Sequence, residues 1–326
     1  MTCTRTASLP VSPEEAFALI TEPERLRRWQ TVSAVVDLRA GGDYRWTVSP
    51  GHVAAGRFRE VEPGRRIVFG WGWEGSEEVP PDSSTITVTV EPTPEGCTVT
   101  LVHEGLGEEQ ERMHGVGWEH YLARLEQLAS TGDVGQDEWA DVPDPLTPVS
   151  AAEAVLAAVQ PVLRNLTTDD RTKPTPCADF DCHGVAVHLM GSLVGLGAMA
   201  GVSVVDPEGT SLENRISVMT AQAIDGWRTV DPDGTVTGPG GNAMPASYAQ
   251  GLLPFELLMH GWDMAQAAGL TLHVSDEVVA YLRKITEPLM PSARERGSFG
   301  PEVSPAADAS PLDRLAAYAG RTPIAA

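Results

Sequence analysis

Hydrophobic positions recur every second residue in one part of this chain and every three to four residues in the other. Upstream of residue 130 the runs DYRWTV, RRIVFGWGWE, STITVTVE and CTVTLVHE alternate apolar with polar side chains. Gly41-Gly42, Pro63-Gly64 and Pro94-Glu95-Gly96 separate them, which predicts strands joined by tight turns. Ser12, Pro13 and Glu15 predict a helix start with a capping box, and EEQERMHGVGWEHYLARLEQLA predicts a long closing helix. Strand, helices, antiparallel meander and closing helix form an α+β plan in which a curved sheet grips the last helix. Ile67, Phe69, Trp71 and Trp73 share one face of their strand, with Gly70 and Gly72 on the other. Tyr44, Trp46 and Val48 add a similar face, as do Val99, Leu101 and His103. A packed core and a cavity for an apolar ligand both fit this loading, and the glycines would let the sheet curl. His103 reads as a strand-end histidine without a catalytic motif.

Between 130 and 150, acidic residues and three prolines break the periodicity. The expected organisation is a domain over 1–130, a linker over 131–149 and a second domain over 150–326. There the period becomes helical. Ser150 and Glu153 predict a capping box ahead of AAEAVLAAVQPVLRNL, with Pro161 bending or ending that helix. Further helices are expected in DCHGVAVHLMGSLVGLGAMAG, in SLENRISVMTAQAIDGWR, over 254–268 and in SDEVVAYLRKITEPLM, with DPDGTVTGPGGNAMP as a loop. The sum is an all-α bundle. Residues 185–205 are long and apolar enough to raise a membrane span. Its internal His188, its four glycines and the lack of a flanking basic cluster favour a bundle helix instead.

Composition narrows the partners. A length of 326 residues with 42% hydrophobic content suggests two domains with sizeable cores. The net charge of −22, with no basic patch, argues against nucleic acid and anionic membranes. Only Lys173 and Lys284 are lysine among 23 basic residues, a bias that points to a GC-rich genome. Cys3, Cys97, Cys177 and Cys182 lack zinc-ribbon or framework spacing, which suggests a reducing compartment. The N-terminus shows no basic stretch followed by an apolar core, and a cytoplasmic location is expected.

The chemistry sits in PFELLMHGWDMAQAAG, where Glu256 and His260 stand four apart and therefore on one helical face. Buried among apolar neighbours, the carboxylate needs a partner. A hydrogen-bonded Glu-His pair meets that need, and so does a metal ion. His188 on another apolar helix would complete a set of two histidines and one glutamate with an open position. His183, near the helix start, is off that face. Asp263, three beyond His260, is either an acceptor supporting the histidine or a surface aspartate.

Two resemblances sharpen this reading. EAFALITEPERLRRW, DLRAGGDYRW, GRFREVEPGRRIVFGWGW, STITVTV, VTLVHEGL and GVGWEHYLARLEQL together resemble the domain related to the activator of the Hsp90 ATPase, within the START-like (SRPBCC) helix-grip superfamily. That resemblance covers about 4–128 and implies a hydrophobic cavity between sheet and closing helix, with Trp46, Trp71, Trp73 and Trp118 in its lining. KPTPCADFDCHGVAVHLMG, FELLMHGWDMAQAAG and GSFGPEVSPAADASPLDRLAAYAGRTP resemble an actinobacterial DinB-like family of metal-binding proteins related to mycothiol-dependent maleylpyruvate isomerase. It covers about 150–323 and implies His188, Glu256 and His260 as metal ligands. Phe180 stands where that family usually has tryptophan, and Cys182-His183-Gly184 is an unusual helix start. Arg321 matches a position of the closing motif and is the candidate for binding a carboxylate of substrate or cofactor. The implied function is a metal-dependent enzyme, with zinc first and nickel, iron or manganese as other divalent ions, using a mycothiol-like thiol to isomerise or transfer onto a small electrophile. The alternative is a ligand-binding or sensing protein with a structural metal site.

Overall fold

The alternating runs fold into a seven-stranded antiparallel sheet. The structure is a computed structural model that describes residues 2–238 and 241–324. It divides into two compact units, Met1–Asp137 and Glu138–Ala326. The first contains β1 (Thr2–Leu9), α1 (Pro13–Thr21), α2 (Pro23–Leu26), β2 (Ser33–Val36), β3 (Asp43–Ser49), β4 (His52–Glu62), β5 (Arg66–Trp71), β6 (Ser84–Thr93), β7 (Gly96–Glu104) and α3 (Glu108–Thr131). The strand order is β1-β7-β6-β5-β4-β3-β2, so β1 is an edge. Glu126 of α3 reaches it and accepts from the Ser8 N–H at 2.7 Å. Trp118, Tyr121, Leu122, Leu125 and Leu128 are buried at helical spacing on α3 and join Tyr44, Phe58, Ile67, Phe69 and Ile86 of the sheet in one core.

Local detail departs from expectation in two places. Ser12 caps α1 by accepting from Glu15 N, but the Glu15 carboxylate pairs with Arg25 instead of returning to Ser12, so no reciprocal box forms. An ion pair with a guanidinium outcompetes a bond to a solvent-accessible backbone amide. Gly70 and Gly72 admit close neighbours as well as curvature. A Cβ at Gly70 would stand 1.8 Å from Asp82 Oδ1, and one at Gly72 would stand 1.9 Å from the Pro80 carbonyl.

At the centre of the aromatic core, Trp71 has ring centroids of Trp73 at 5.2 Å and Trp118 at 5.1 Å. Trp118 Nε1–H donates to His103 Nδ1 at 3.1 Å, which puts the imidazole proton on Nε2. That nitrogen donates to Ser84 Oγ at 2.9 Å, and Ser84 donates to the Trp71 carbonyl at 3.0 Å. The strand-end histidine is thus a saturated link in the core. Burial, followed by repulsion from His114, lowers its pKa to about 3.

The second unit contains α4 (Pro148–Asn165), α5 (Cys182–Met199), α6 (Leu212–Arg228), β8 (Thr235–Thr237), β9 (Ala243–Pro245), α7 (Ala246–Ala268), α8 (Asp276–Thr286), α9 (Met290–Glu295) and α10 (Pro311–Tyr318). It is helical apart from the β8-β9 hairpin, which lies where a loop is expected; Pro239 and Gly240 of that loop are outside the described residues. The box at α4 belongs to Thr147 and Ser150. Glu153 is buried on α4 and pairs with Arg228. Pro161 does not end α4, which runs on to Asn165, whose side chain donates to the Pro161 carbonyl at 2.8 Å. The helix expected over 254–268 begins eight residues earlier, because burial of Ala246, Ala249, Gln250 and Leu253 outweighs the interior Pro254. By length and composition alone α5 could cross a membrane; in this unit Val185, Ala186, Leu189, Leu193 and Leu196 along it are buried.

His103 makes the first unit sensitive to acid. Above about pH 6.5 the imidazole is neutral in both folded and unfolded chains. Below that value the unfolded chain takes up a proton that the folded chain refuses, so stability falls as pH drops towards the folded pKa of about 3. The expected loss is at most ~1.4 kcal/mol per pH unit, about 2 kcal/mol between pH 6.5 and 5. Urea unfolding across this window should show it, and His103→Gln should flatten the slope; an unchanged slope would remove His103 as its source.

Candidate metal centre

Two helices assemble the site. Glu256 and His260 project from α7, and α5 supplies His188. One ligand atom from each of these three residues lies within 4.8 Å of the others. His260 Nε2 stands 3.3 Å from Glu256 Oε2, and the His188 and His260 rings meet edge to face at 4.9 Å. His183 is elsewhere, with Nδ1 3.4 Å from Arg171 Nη2.

Close packing against α4 holds α7 at this level. Position 261 is glycine, and a Cβ there would fall 2.5 Å from Val159 Cγ2 of α4. The absence of a side chain lets α7 press against α4 beside His260.

Asp263 is fully buried rather than on the surface. Its Oδ2 takes a hydrogen bond from His260 Nδ1 at 3.1 Å, and Arg321 Nε stands 3.2 Å from both of its oxygens. The bond fixes the proton on Nδ1 and leaves Nε2 turned towards Glu256. Arg321, also buried, donates through Nη1 to the Ala319 carbonyl at 3.1 Å. Its place is therefore next to the metal candidates, through Asp263.

These groups are electrostatically coupled. Burial alone would push the His260 pKa down, but hydrogen bonds to Asp263 and Glu256 prevail and raise it. Burial acts to raise the Glu256 pKa, yet His260, Arg321 and His188 hold it below the usual carboxylate range. His188 keeps much of its surface in solvent, and partial desolvation with repulsion from His260 lowers its pKa, which favours the neutral imidazole that a metal takes.

Residues beyond the expected set also converge. Phe180, in the tryptophan's place, stacks on His188 with centroids 5.0 Å apart at 25°. Ser192, one turn beyond His188, has Oγ 3.5 Å from Glu256 Oε2; its spacing of four was a readable signal. Cys177 has its sulfur within 4.8 Å of ligand atoms of His260 and Asp263, and nothing in its spacing announced that. Burial, then the Asp263 charge, pushes its thiol pKa up.

In the first unit Trp46, Trp71, Trp73 and Trp118 form one contiguous cluster, with Trp46 and Trp71 centroids 6.2 Å apart. Two open depressions have none of these candidates in their lining. One, of about 740 Å³, is bordered by Cys3, Arg5, Arg112 and Gly115; the other, of about 360 Å³, by Asp141, His273, Ser275 and Ser310.

Residues 10–130 match the family model described as Activator of Hsp90 ATPase homolog 1-like protein. Uncharacterized protein Rv0738 of Mycobacterium tuberculosis is 27% identical over 193 residues, covering 55% of this chain and 98% of its own length. That share exceeds the first unit, so the likeness reaches into the helical one. Among solved structures, the AHSA1-like protein RHE_CH02687 from Rhizobium etli is 37% identical and covers 44% of this chain and 90% of its own, with a TM-score of 0.37. The Aha1 dimer from Colwellia psychrerythraea is 15% identical and covers 40% and 98%, also with a TM-score of 0.37.

The tight approach at Gly261 is open to test. Gly261→Ala should cost about 1–3 kcal/mol through overpacking against Val159. Urea unfolding should register that loss, and adding Val159→Ala should recover part of it; equal losses in single and double variants would mean that the two positions do not compete for space.

Proposed function

With an AHSA1-like domain as its first unit, the chain carries a helical second unit that we propose to be a divalent-metal enzyme acting with a small thiol cofactor. The observation that carries this reading is the convergence of His188, Glu256 and His260 within 4.8 Å of one another. Two imidazoles and one carboxylate suit zinc, and a three-residue set leaves coordination positions for a thiol or substrate. When bound, such an ion lowers the pKa of a coordinated thiol or water and so supplies a nucleophile near neutral pH.

The chain's own groups do the rest. Asp263 holds His260 with Nε2 presented, and Arg321 in turn holds Asp263. Arg321 is the cation of this neighbourhood and is assigned to receive a carboxylate of substrate or cofactor. His188, partly exposed beside Phe180, borders the solvent side and so the entry route. In this reading a thiolate adds to an activated alkene, its carbon–sulfur bond forming as the alkene electron pair moves onto the conjugated carbonyl. Rotation and expulsion of the thiolate complete an isomerisation, whereas protonation of the adduct completes a transfer. The DinB-like fold and a mycothiol-like cofactor belong to this proposal. The first unit serves as a binder of a small apolar molecule, in keeping with its helix-grip plan and its tryptophan cluster.

Metal analysis after reconstitution with zinc tests the centre directly. The wild-type chain should hold one ion per molecule. His188→Ala, Glu256→Gln and His260→Ala should lose it, while His183→Ala and His273→Ala keep it. Asp263→Asn should weaken binding by roughly 10–100-fold through a less well held His260. A metal-free wild type, or retention by His260→Ala, would overturn the centre and the enzymatic reading with it.

A further inference from the structure

His260 has a carboxylate at each ring nitrogen: Asp263 Oδ2 is 3.1 Å from Nδ1, and Glu256 Oε2 is 3.3 Å from Nε2. Glu256 belongs to the set described above. Asp263 belongs to another, in which Cys177 Sγ, a His260 ring nitrogen and an Asp263 oxygen all lie within 4.8 Å of one another. Thiol, imidazole and carboxylate thus meet beside the first set, and the two sets share one histidine. Among the described residues Cys3, Cys97 and Cys182 join no such group.

The thiol is held in place by its backbone. Cys177 opens a turn in which its carbonyl accepts from the Phe180 N–H at 2.9 Å, and Thr175 Oγ1 donates across the turn to the Phe180 carbonyl at 2.7 Å. The Cys182 N–H donates to the Lys173 carbonyl at 3.0 Å, which ties the loop to the start of α5. A half-buried donor on a braced turn binds an ion with little loop left to order. The charged groups acting on the sulfur are the carboxylates of Asp263, Asp179 and Glu256 and the guanidinium of Arg321. Anions outnumber cations there, so an ion that replaces the thiol proton brings charge of the sign the surroundings lack.

We infer that Cys177, His260 Nδ1 and Asp263 form a second metal site, for a soft, thiophilic ion of which cadmium is the probe, and that it excludes an ion on His188, Glu256 and His260. Thiolate is the donor such ions prefer, whereas the first set offers only nitrogen and oxygen. Exclusion follows from the shared imidazole, which when neutral carries one proton. With that proton on Nδ1 and given to Asp263, the Nε2 lone pair serves the first set. With it on Nε2 and given to Glu256, the Nδ1 lone pair serves the second. Cys177 releases its thiol proton to solvent and the imidazole proton changes nitrogen, so one proton leaves per soft ion bound. Arg321 stays: its Nε stands 3.2 Å from both Asp263 oxygens, so one oxygen can turn to the ion while the other keeps the guanidinium. The site itself stands apart from the enzymatic reading, while the exclusion rests on zinc being held by the first set.

Cadmium titrated into the metal-free full chain tests this. The wild type should take up one ion per molecule and develop the ultraviolet thiolate-to-cadmium charge-transfer band. His188→Ala should keep that band while losing zinc, whereas Cys177→Ser should lose the band and still bind zinc. Cys182→Ser should change neither. Zinc loaded beforehand should suppress the band until cadmium displaces it one for one. Should Cys177→Ser fail to fold, protection in the wild type decides: bound cadmium, unlike zinc, should slow alkylation of Cys177 by iodoacetamide, read by peptide mass spectrometry. A band that survives Cys177→Ser, or cadmium bound without a band, would overturn the thiolate site and leave the zinc centre standing. Zinc and cadmium held together with the band present would overturn the exclusion alone. If neither ion binds, both sets fall.

Discussion

The helical unit depends on one requirement: the Asp263 carboxylate has no exposed surface and must be met by donors from within. His260 and Arg321 meet it. Satisfying that carboxylate orients the His260 ring, so that Nε2 faces Glu256 Oε2 at 3.3 Å. It also ties residues after α10 to the middle of α7. Neighbouring bonds follow the same line, with Trp262 Nε1–H donating to Asp313 and the Ile324 N–H to Gln266. Asp313, Arg321 and Ile324 and the candidate residues Glu256 and His260 thus all meet one stretch of α7.

The sheet unit solves a related problem without charge. Its core is aromatic, and aromatic residues with nitrogen bring donors into a region where water is excluded. His103 and His114 accept from Trp118 and Trp73 and donate hydrogen bonds through their other ring nitrogens to Ser84 and to the Gln110 carbonyl. Neutral histidine suits this task because it accepts and donates at once. The result is a core whose tautomers are set by packing.

Much of this was legible in the residues. Period-two runs revealed the strands because one face of each is buried, and spacing of four placed Glu256 beside His260 because both lie on one helix. His188 was legible as a candidate from its place within an apolar helix, but no local rule says that α5 faces α7, and only the family resemblance pointed to that pairing. The Asp263–Arg321 pair joins residues 58 apart and leaves no periodic trace. The capping boxes were misplaced because Ser/Thr-x-x-Glu is a local pattern, whereas Glu15 and Glu153 each found an arginine through tertiary contact. The β8-β9 hairpin has strands of three residues, too short to display alternation. Pro254 masked the first eight residues of α7 because a proline reads as a start when burial on either side is unknown.

The bond from Ser8 to Glu126 has a consequence beyond the unit itself. An eight-residue edge strand offers amide hydrogens to any other extended chain, including a copy of itself during synthesis at high local concentration. By occupying one such hydrogen with a side chain from α3, the domain makes its own closing helix compete with foreign strands for that edge. Protection from sheet-to-sheet growth is therefore acquired only when the last helix docks, and a nascent chain short of residue 126 would have to do without it.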